Sequence, residues 1–307
     1  MRLKSYAKIN LTLDVKGLLP NGYHEVEMIM QQLALGDDLD VEWEEEAGSG
    51  FNIKLSTNRK YLPNDRRNLA YKAAEIMHEM YGQGREGTLT IHIEKHIPVA
   101  AGLAGGSGNG AAVIHAINYL WGLGLDVYRL CEAGSKLGSD VPFCVMGQAA
   151  ENEVLKDMFA DDPMACHCAL ATGTGTDLKP MKGLNSYIVL SKPKISVSTP
   201  EVYKGIDAIE IPEHPDTLGM IKALEAEDKG YVAKNIVNVL ENFTLRKYPI
   251  VMYTKNKMED LCNNLGVLMS GSGPTVFAIC DDKEHADRIW GEMIGVNEES
   301  YCTKTTF

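Results

Sequence analysis

Residues 97–125 read IPVAAGLAGGSGNGAAVIHAINYLWGLGL, a stretch without a single Asp, Glu, Lys or Arg. Its first half is dense in glycine, at Gly102, Gly105, Gly106, Gly108 and Gly110, and its second half is a run of helix formers. Just upstream, Thr88–Lys95 alternates so that Leu89, Ile91 and Ile93 share one face, as a half-buried strand does. The order is therefore strand, glycine-rich loop, helix N-terminus. This arrangement aims backbone N–H groups and the positive end of a helix dipole at one point, which suits a phosphate. A transmembrane helix is a poor alternative, because clustered glycines and Asn109 interrupt the span. A Walker loop requires a Gly-Lys-Ser/Thr ending that is absent here. A dinucleotide fingerprint can be laid over Gly106–Ala111, but its glycines stand too far beyond the strand. The loop alone leaves a purely structural turn open, so the remaining chain has to decide.

The chain has 307 residues, enough for two domains, with 45% hydrophobic and 23% charged residues, an ordinary globular balance. A formal charge of −12 argues against nucleic acid or an anionic membrane as partner. An anionic substrate is then met by local helix ends and a few cations. The seven cysteines form no Cys-x-x-Cys pair, so free thiols in a reducing compartment are expected. Cys166-His167-Cys168 lacks the second ligand pair of a zinc site. Without a signal-type apolar segment at the N-terminus, a cytoplasmic protein is expected.

Outward from the loop, Leu3–Val15 alternates as a strand, with Ile9, Leu11 and Leu13 on one face and Lys8, Asn10 and Thr12 on the other. That polar face is either a site or simply solvated. Leu19–Gly22 is a turn leading to Tyr23 and His24, followed by strand-like segments at Val26–Leu35, Asp37–Glu46 and Phe51–Ser56. Asn68–Tyr81 has helical spacing, with Asn68 placed as its cap. Gly122 and Gly124 end the central helix, and Val127–Lys136 forms another. Asp140 stands among apolar residues in Leu137–Phe143; it either caps the next turn or is a positioned carboxylate. Gln148–Asp177 reads as an irregular or helical excursion that returns to a sheet. Tyr187–Leu190 and Ile195–Val197 look like strands, and Pro200 opens a helix. The 215–265 region is mostly helical. Leu268–Pro274 is a second glycine loop, leading to a strand at Thr275–Cys280 and a helix at Lys283–Met293.

Together, Pro98–Ser107, Ala7–Leu11, Gly22-Tyr23-His24, Gly138–Phe143, Asn68–Lys72 and Ser270–Phe277 resemble the motifs of the GHMP kinases. Within that superfamily they are most similar to the branch that phosphorylates a methylerythritol carried on cytidine diphosphate, in the non-mevalonate route to isoprenoids. The resemblance spans Lys4 to Phe277. It implies an α+β two-domain fold, with an N-terminal domain like ribosomal protein S5 domain 2 (1–180) and a ferredoxin-like C-terminal domain (181–307). ATP and Mg²⁺ are the implied cofactors, and the γ-phosphoryl group passes to an alcohol. By the same resemblance, Lys8 and Asp140 are catalytic. ATP is held by Asn68, Pro98, Val99, Ala100, Ala101, Gly102, Leu103, Ala104, Gly105, Gly106, Ser107 and Gly108. Asn10, Tyr23 and His24 bind the substrate, with Tyr203 on the other face of its base.

Two departures from the family pattern stand out. Gly108 replaces a serine, which removes a hydroxyl able to touch phosphate or metal, and Gly108 and Gly110 together loosen the first helical turn. A longer segment also precedes Ala169–Gly173, expected as a surface insertion or lid over 148–168. A homoserine or mevalonate-type kinase, and a nucleotide-binding protein without catalysis, remain as alternatives at this level.

Overall fold

The computed structural model describes residues 1–263 and 266–307. Its contacts divide the chain into two compact units, each assembled from separate pieces. The first comprises Met1–Ala7, Leu35–Ile97 and Ala104–His167; the second comprises Lys8–Ala34, Pro98–Leu103 and Cys168–Phe307. The units thus differ from a single cut after residue 180. The reason lies in the first two strands, β1 (Arg2–Leu18) and β2 (His24–Glu45), each long enough to serve both. The two separate strands expected over 26–46 are one. Gly36 lets it pass, since a Cβ there would lie 2.5 Å from the Ser5 carbonyl oxygen.

In the first unit β3 (Phe51–Thr57) runs parallel to β4 (Gly87–Glu94), and β4 pairs antiparallel with Asp38–Glu45 of β2. The helices are α1 (Leu69–Tyr81), α2 (Gly105–Leu120), α3 (Val127–Ser135), α4 (Val141–Glu151) and the single turn α5 (Glu153–Lys156). Helix α2 packs on α1, α3 and α4, and every residue from Gly108 to Asn118 is buried. That placement explains a helix without charges: a helix enclosed on all sides has no face to offer water. It ends as its glycines require, with Gly122 and Gly124 in left-handed conformation at φ 62° and 64°. The Asn118 side chain closes that turn, accepting from Leu125 N at 3.0 Å and donating to Leu125 O at 3.1 Å.

In the second unit the return from the excursion is a hairpin of β5 (Cys168–Thr172) and β6 (Asp177–Pro180), with β5 antiparallel to Met28–Gln31 of β2. Then follow β7 (Tyr187–Lys192), α6 (Thr199–Ile206), α7 (Thr217–Glu225), α8 (Lys229–Asn235), β8 (Val237–Asn238), α9 (Glu241–Lys247) and α10 (Pro249–Leu261). The chain finishes with β9 (Val267–Met269), β10 (Val276–Cys280), α11 (Lys283–Ile294) and β11 (Glu299–Lys304). An antiparallel sheet of order β11-β7-β10-β9 carries α10 and α11. The strand expected at Ile195–Val197 does not form; Pro193, which has no N–H to donate, ends β7, and Ile195 N turns back to the Pro193 carbonyl. Strands β8 and β11 were not expected from sequence. Residues 264 and 265 of the anticipated helical region lie outside the described residues. Among the described residues no helix is long and apolar enough to cross a membrane.

Candidate active site

The glycine loop is built around three left-handed residues, Ala100 (φ 52°), Gly102 (φ 74°) and Ala104 (φ 56°). For alanine this conformation costs about 1–2 kcal/mol, so the loop holds its shape only where its surroundings impose it. Gly102 has a second reason to lack a side chain, since a Cβ would meet the Ser270 carbonyl oxygen at 2.3 Å. Within the second unit the two glycine loops therefore touch. Ser270 Oγ donates to Gly102 O at 2.9 Å, and Lys8 N donates to Leu103 O at 3.1 Å. The later loop is itself held by the short strand β8, where Asn238 Nδ2 donates to Met269 O at 2.7 Å and Gly271 O at 2.8 Å.

Beyond the loop, α2 starts in the first unit without a capping side chain, because Ala104 occupies the N-cap position. Gly108 N is the first to bond back, to Ala104 O at 2.8 Å. The amides of Gly105, Gly106 and Ser107 precede it and have no intrahelical acceptor, the usual anion-binding end of a helix. Gly106 is exposed, and Gly105 and Ser107 are half-buried.

Gly108 does not belong to that cradle. Its amide is committed to the helix, and its missing side chain would point at Ser5 Oγ, 2.5 Å away, with Tyr6 O at 3.1 Å. The absent family serine is thus a packing feature between helix and strand, not a lost phosphate ligand. Gly110 differs again. A Cβ there would find ordinary contacts of 3.5–3.7 Å to Leu69 and Leu137.

Both faces of β1 are covered over its middle. Lys8 is 4% exposed and Asn10 fully buried, which excludes the solvated-face reading. Lys8 Nζ donates to Asn10 Oδ1 at 2.8 Å, and Asn10 Nδ2 reaches Met28 Sδ at 3.2 Å. Asn10 thus joins Lys8 to Met28 within the buried strand face. Asp140 stands at the N-cap position of α4, but its carboxylate makes no capping bond. The capping alternative is excluded, and the residue is half-buried.

His24 and Tyr203 meet directly, with ring centroids 5.1 Å apart and planes tilted by 38°. His24 Nε2 is further fixed by Asp207 Oδ1 at 2.7 Å. Rings in such contact leave no room for a base between them. Tyr23, 63% exposed, keeps an open face for stacking. Asn68 caps α1 as expected, its Oδ1 accepting from Ala70 N at 3.0 Å while Nδ2 donates to Pro63 O at 3.0 Å.

The sequence reading missed a buried polar trio in the first unit. Lys95 Nζ is ion-paired with Asp37 Oδ2 and donates to Asn109 Oδ1 at 2.9 Å. Asn109 Nδ2 donates to Asp37 Oδ2 at 2.8 Å and to Ser5 Oγ at 3.2 Å. Asp37 Oδ1 accepts from His96 N at 2.7 Å and Ile97 N at 2.8 Å. Burial lowers the Lys95 ammonium from its ordinary value, and Asp37 opposes that shift. A signal for these charges was present in strand parity. Asp37 shares its face with Leu39 and Val41, and Lys95 shares its face with Ile91 and Ile93, so both stand on apolar faces.

Comparison with known proteins places the chain at two levels, superfamily and family. The family description "GHMP kinases N terminal domain" matches residues 68–148 and "GHMP kinases C terminal" matches 220–297. The fold and its two loops are those of a GHMP kinase. A 4-diphosphocytidyl-2-C-methyl-D-erythritol kinase of Alkaliphilus metalliredigens is 44% identical over 91% of this chain and 87% of its own. One from Clostridium novyi is 41% identical over 99% of this chain and all of its own. A crystal structure of 4-(cytidine 5'-diphospho)-2C-methyl-D-erythritol kinase superposes over the whole of both chains with TM-score 0.78 at 29% identity. The chain belongs to the 4-diphosphocytidyl-2-C-methyl-D-erythritol kinase family of GHMP kinases. Homoserine kinase from Cytophaga hutchinsonii, at 19% identity and TM-score 0.68, shares the fold.

Proposed function

We propose that this protein transfers the γ-phosphoryl group of ATP to the 2-hydroxyl of 4-diphosphocytidyl-2-C-methyl-D-erythritol, a step of isoprenoid synthesis. The observation that carries this reading is identity above 40% over nearly the full chain to kinases of that name. In the reaction the acceptor oxygen bonds to the γ-phosphorus, the bond from that phosphorus to the bridging oxygen breaks, and ADP leaves. Such transfer is mainly positioning and neutralisation of charge. The free amides of Gly105, Gly106 and Ser107, with the backbone of Pro98–Ala104, are assigned to the triphosphate. Asn68 is assigned to the nucleotide through its place beside the loop in the family motif.

Asp140 is assigned to orient the 2-hydroxyl and receive its proton. Lys8, oriented by Asn10, supplies positive charge to the oxygen that gives up that proton. Tyr23 is assigned to stack on the cytosine, and the His24–Tyr203 pair to border it. Mg²⁺ bound with the nucleotide would be held mainly by phosphate oxygens and waters and would supply neutralisation of the transferring group's charge. Among the described residues no three His, Cys, Asp or Glu side chains are grouped to hold a metal. In sequence we divide the chain into a catalytic domain over 1–180 and a second domain over 181–307. We place the protein in the cytoplasm, acting on this small molecule without nucleic acid or membrane partner, in keeping with its charge of −12.

One assay tests the assignment. With ATP and Mg²⁺, the cytidyl diphosphate substrate is expected to be phosphorylated, and homoserine and mevalonate are not. Asp140→Asn is expected to lower kcat at least a hundredfold while ATP affinity stays within threefold. Folded protein that turns over another acceptor preferentially, or an unimpaired Asp140→Asn, defeats the corresponding part.

A further inference from the structure

We infer that the buried trio Asp37, Lys95 and Asn109 positions the glycine loop for phosphate, and that these are positioning residues for the transfer proposed above, on which this inference rests. The trio grips both ends of the loop. Asp37 Oδ1 takes the N–H groups of His96 and Ile97, the last two residues before the loop. Asn109 lies just past the first turn of α2, and its amide is bonded to Asp37 and Lys95 on the other side. All three left-handed residues, Ala100, Gly102 and Ala104, lie between the two grips.

The bonding of the carboxylate is also complete in a way that fixes direction. Asp37 Oδ1 accepts two bonds, Oδ2 accepts from Lys95 and Asn109, and Asn109 uses both ends of its amide. The Lys95 backbone is held as well, its N–H donating to Asn58 Oδ1 at 3.0 Å. A buried network of directed bonds of this kind holds its members in place. Stability is a poor reason for it, because well-packed apolar side chains of similar volume are commonly as stabilising as a buried ion pair. Apolar contact, however, does not specify angle and spacing as directed bonds do. The first residue of α2 lies close to the network: a Cβ at Gly105 would lie 3.0 Å from Ile97 Cγ2 and 3.2 Å from Lys95 Nζ. Loosening the lysine and the carboxylate would release Asn109 of α2, which they hold, and with it the helix start that carries the three N–H groups assigned to phosphate.

The test reads nucleotide binding rather than turnover, so it does not depend on the acceptor. The double variant Asp37→Asn/Lys95→Met leaves no unpaired buried charge, and Asn109→Ala leaves the ion pair intact. For each variant, circular dichroism and thermal melting establish folding, and calorimetric titration gives the affinity for ATP and for adenosine. ATP is expected to bind at least tenfold more weakly to the double variant and at least threefold more weakly to Asn109→Ala. Adenosine affinity stays within twofold in both, because it carries no phosphate. A folded variant in which both ligands bind as in wild type, or weaken equally, overturns the inference. If the double variant does not fold, the Asn109→Ala comparison decides. Wild-type protein that fails to bind ATP defeats the proposed function itself, and is thereby distinguishable from variants that merely match a competent wild type.

Discussion

Ser5 Oγ and the side-chain position of residue 108 compete for one space, 2.5 Å apart. Adding a serine at 108 alone overpacks the contact between α2 and β1, at a cost of about 1–3 kcal/mol. Removing the rival hydroxyl should relieve much of this. We therefore expect Gly108→Ser to lower stability, and Ser5→Ala/Gly108→Ser to recover it with a coupling of about 0.5–3 kcal/mol. Urea unfolding of the four members of the cycle measures the coupling, and additive effects would contradict the shared space. The sequence pattern showed that position 108 departs from the family but not why, since Ser5 is remote in sequence and only the fold brings it there. Lys8 and Asp140 were singled out by local motifs, and the structure adds that the lysine is buried and that the carboxylate does not cap α4. Asn10 was legible as a polar residue beside Lys8, but its bonds to Lys8 and Met28 were not. Tyr203 was expected on the far face of the base from Tyr23 and His24, and its direct contact with the His24 ring at 5.1 Å was beyond what spacing conveys.

Helix α2 was the most legible element, since an uncharged run after a glycine cluster states both its start and its burial. Its glycines nevertheless divide into two kinds. Gly108 is forced by packing, whereas at Gly110 a methyl would meet Leu69 O at 3.5 Å and Leu137 Cδ1 at 3.6 Å, ordinary contacts in a helix. Glycine inside a helix is less favourable than alanine by up to about 1 kcal/mol. Gly110→Ala is therefore expected to raise the thermal midpoint by a few degrees. A lowered midpoint would show that the α1–α2 contact needs a glycine at 110. The long strands β1 and β2 were only partly legible. Periodicity broke β2 at Gly36, because a glycine in a strand reads as punctuation, whereas here it admits the Ser5 carbonyl. Strand β8 was missed for a different reason. Its pairing with Thr12 and Leu13 of β1 is parallel and only two residues long, so it leaves no alternation to detect. Its Asn238 nevertheless holds the Ser270–Gly273 loop.

At the scale of the molecule, domains read along the sequence and units read from contacts answer different questions. Family descriptions match 68–148 and 220–297, on either side of a cut near 180, while the compact units exchange residues 8–34 and 98–103. Pro98–Leu103 of the glycine loop falls in the second unit and its flanks in the first, so the start of α2 depends on the stability of the first unit. One buried group ties that stability to pH. His115 of α2 is fully buried; its Nε2 lies 2.9 Å from Val145 O and its Nδ1 has no partner. The neutral ring with Nε2 protonated satisfies this arrangement, and protonating Nδ1 would create a buried donor without an acceptor. Burial accordingly pulls the imidazole down to about 4, against the smaller opposing effect of the Val145 bond. Between its ordinary 6.5 and about 4 the unfolded chain binds a proton that the folded chain refuses. The contribution is intact above pH 6.5 and is lost as pH falls, at about 1.4 kcal/mol per unit and about 3 kcal/mol in all. His115→Gln supplies a donor side chain at that position but cannot titrate. Urea unfolding at pH 7.5 and pH 5 is expected to show a larger acid-induced loss for wild type than for His115→Gln, by about 1–2 kcal/mol. Equal losses would mean that His115 takes its proton as readily in the folded protein as in the unfolded chain.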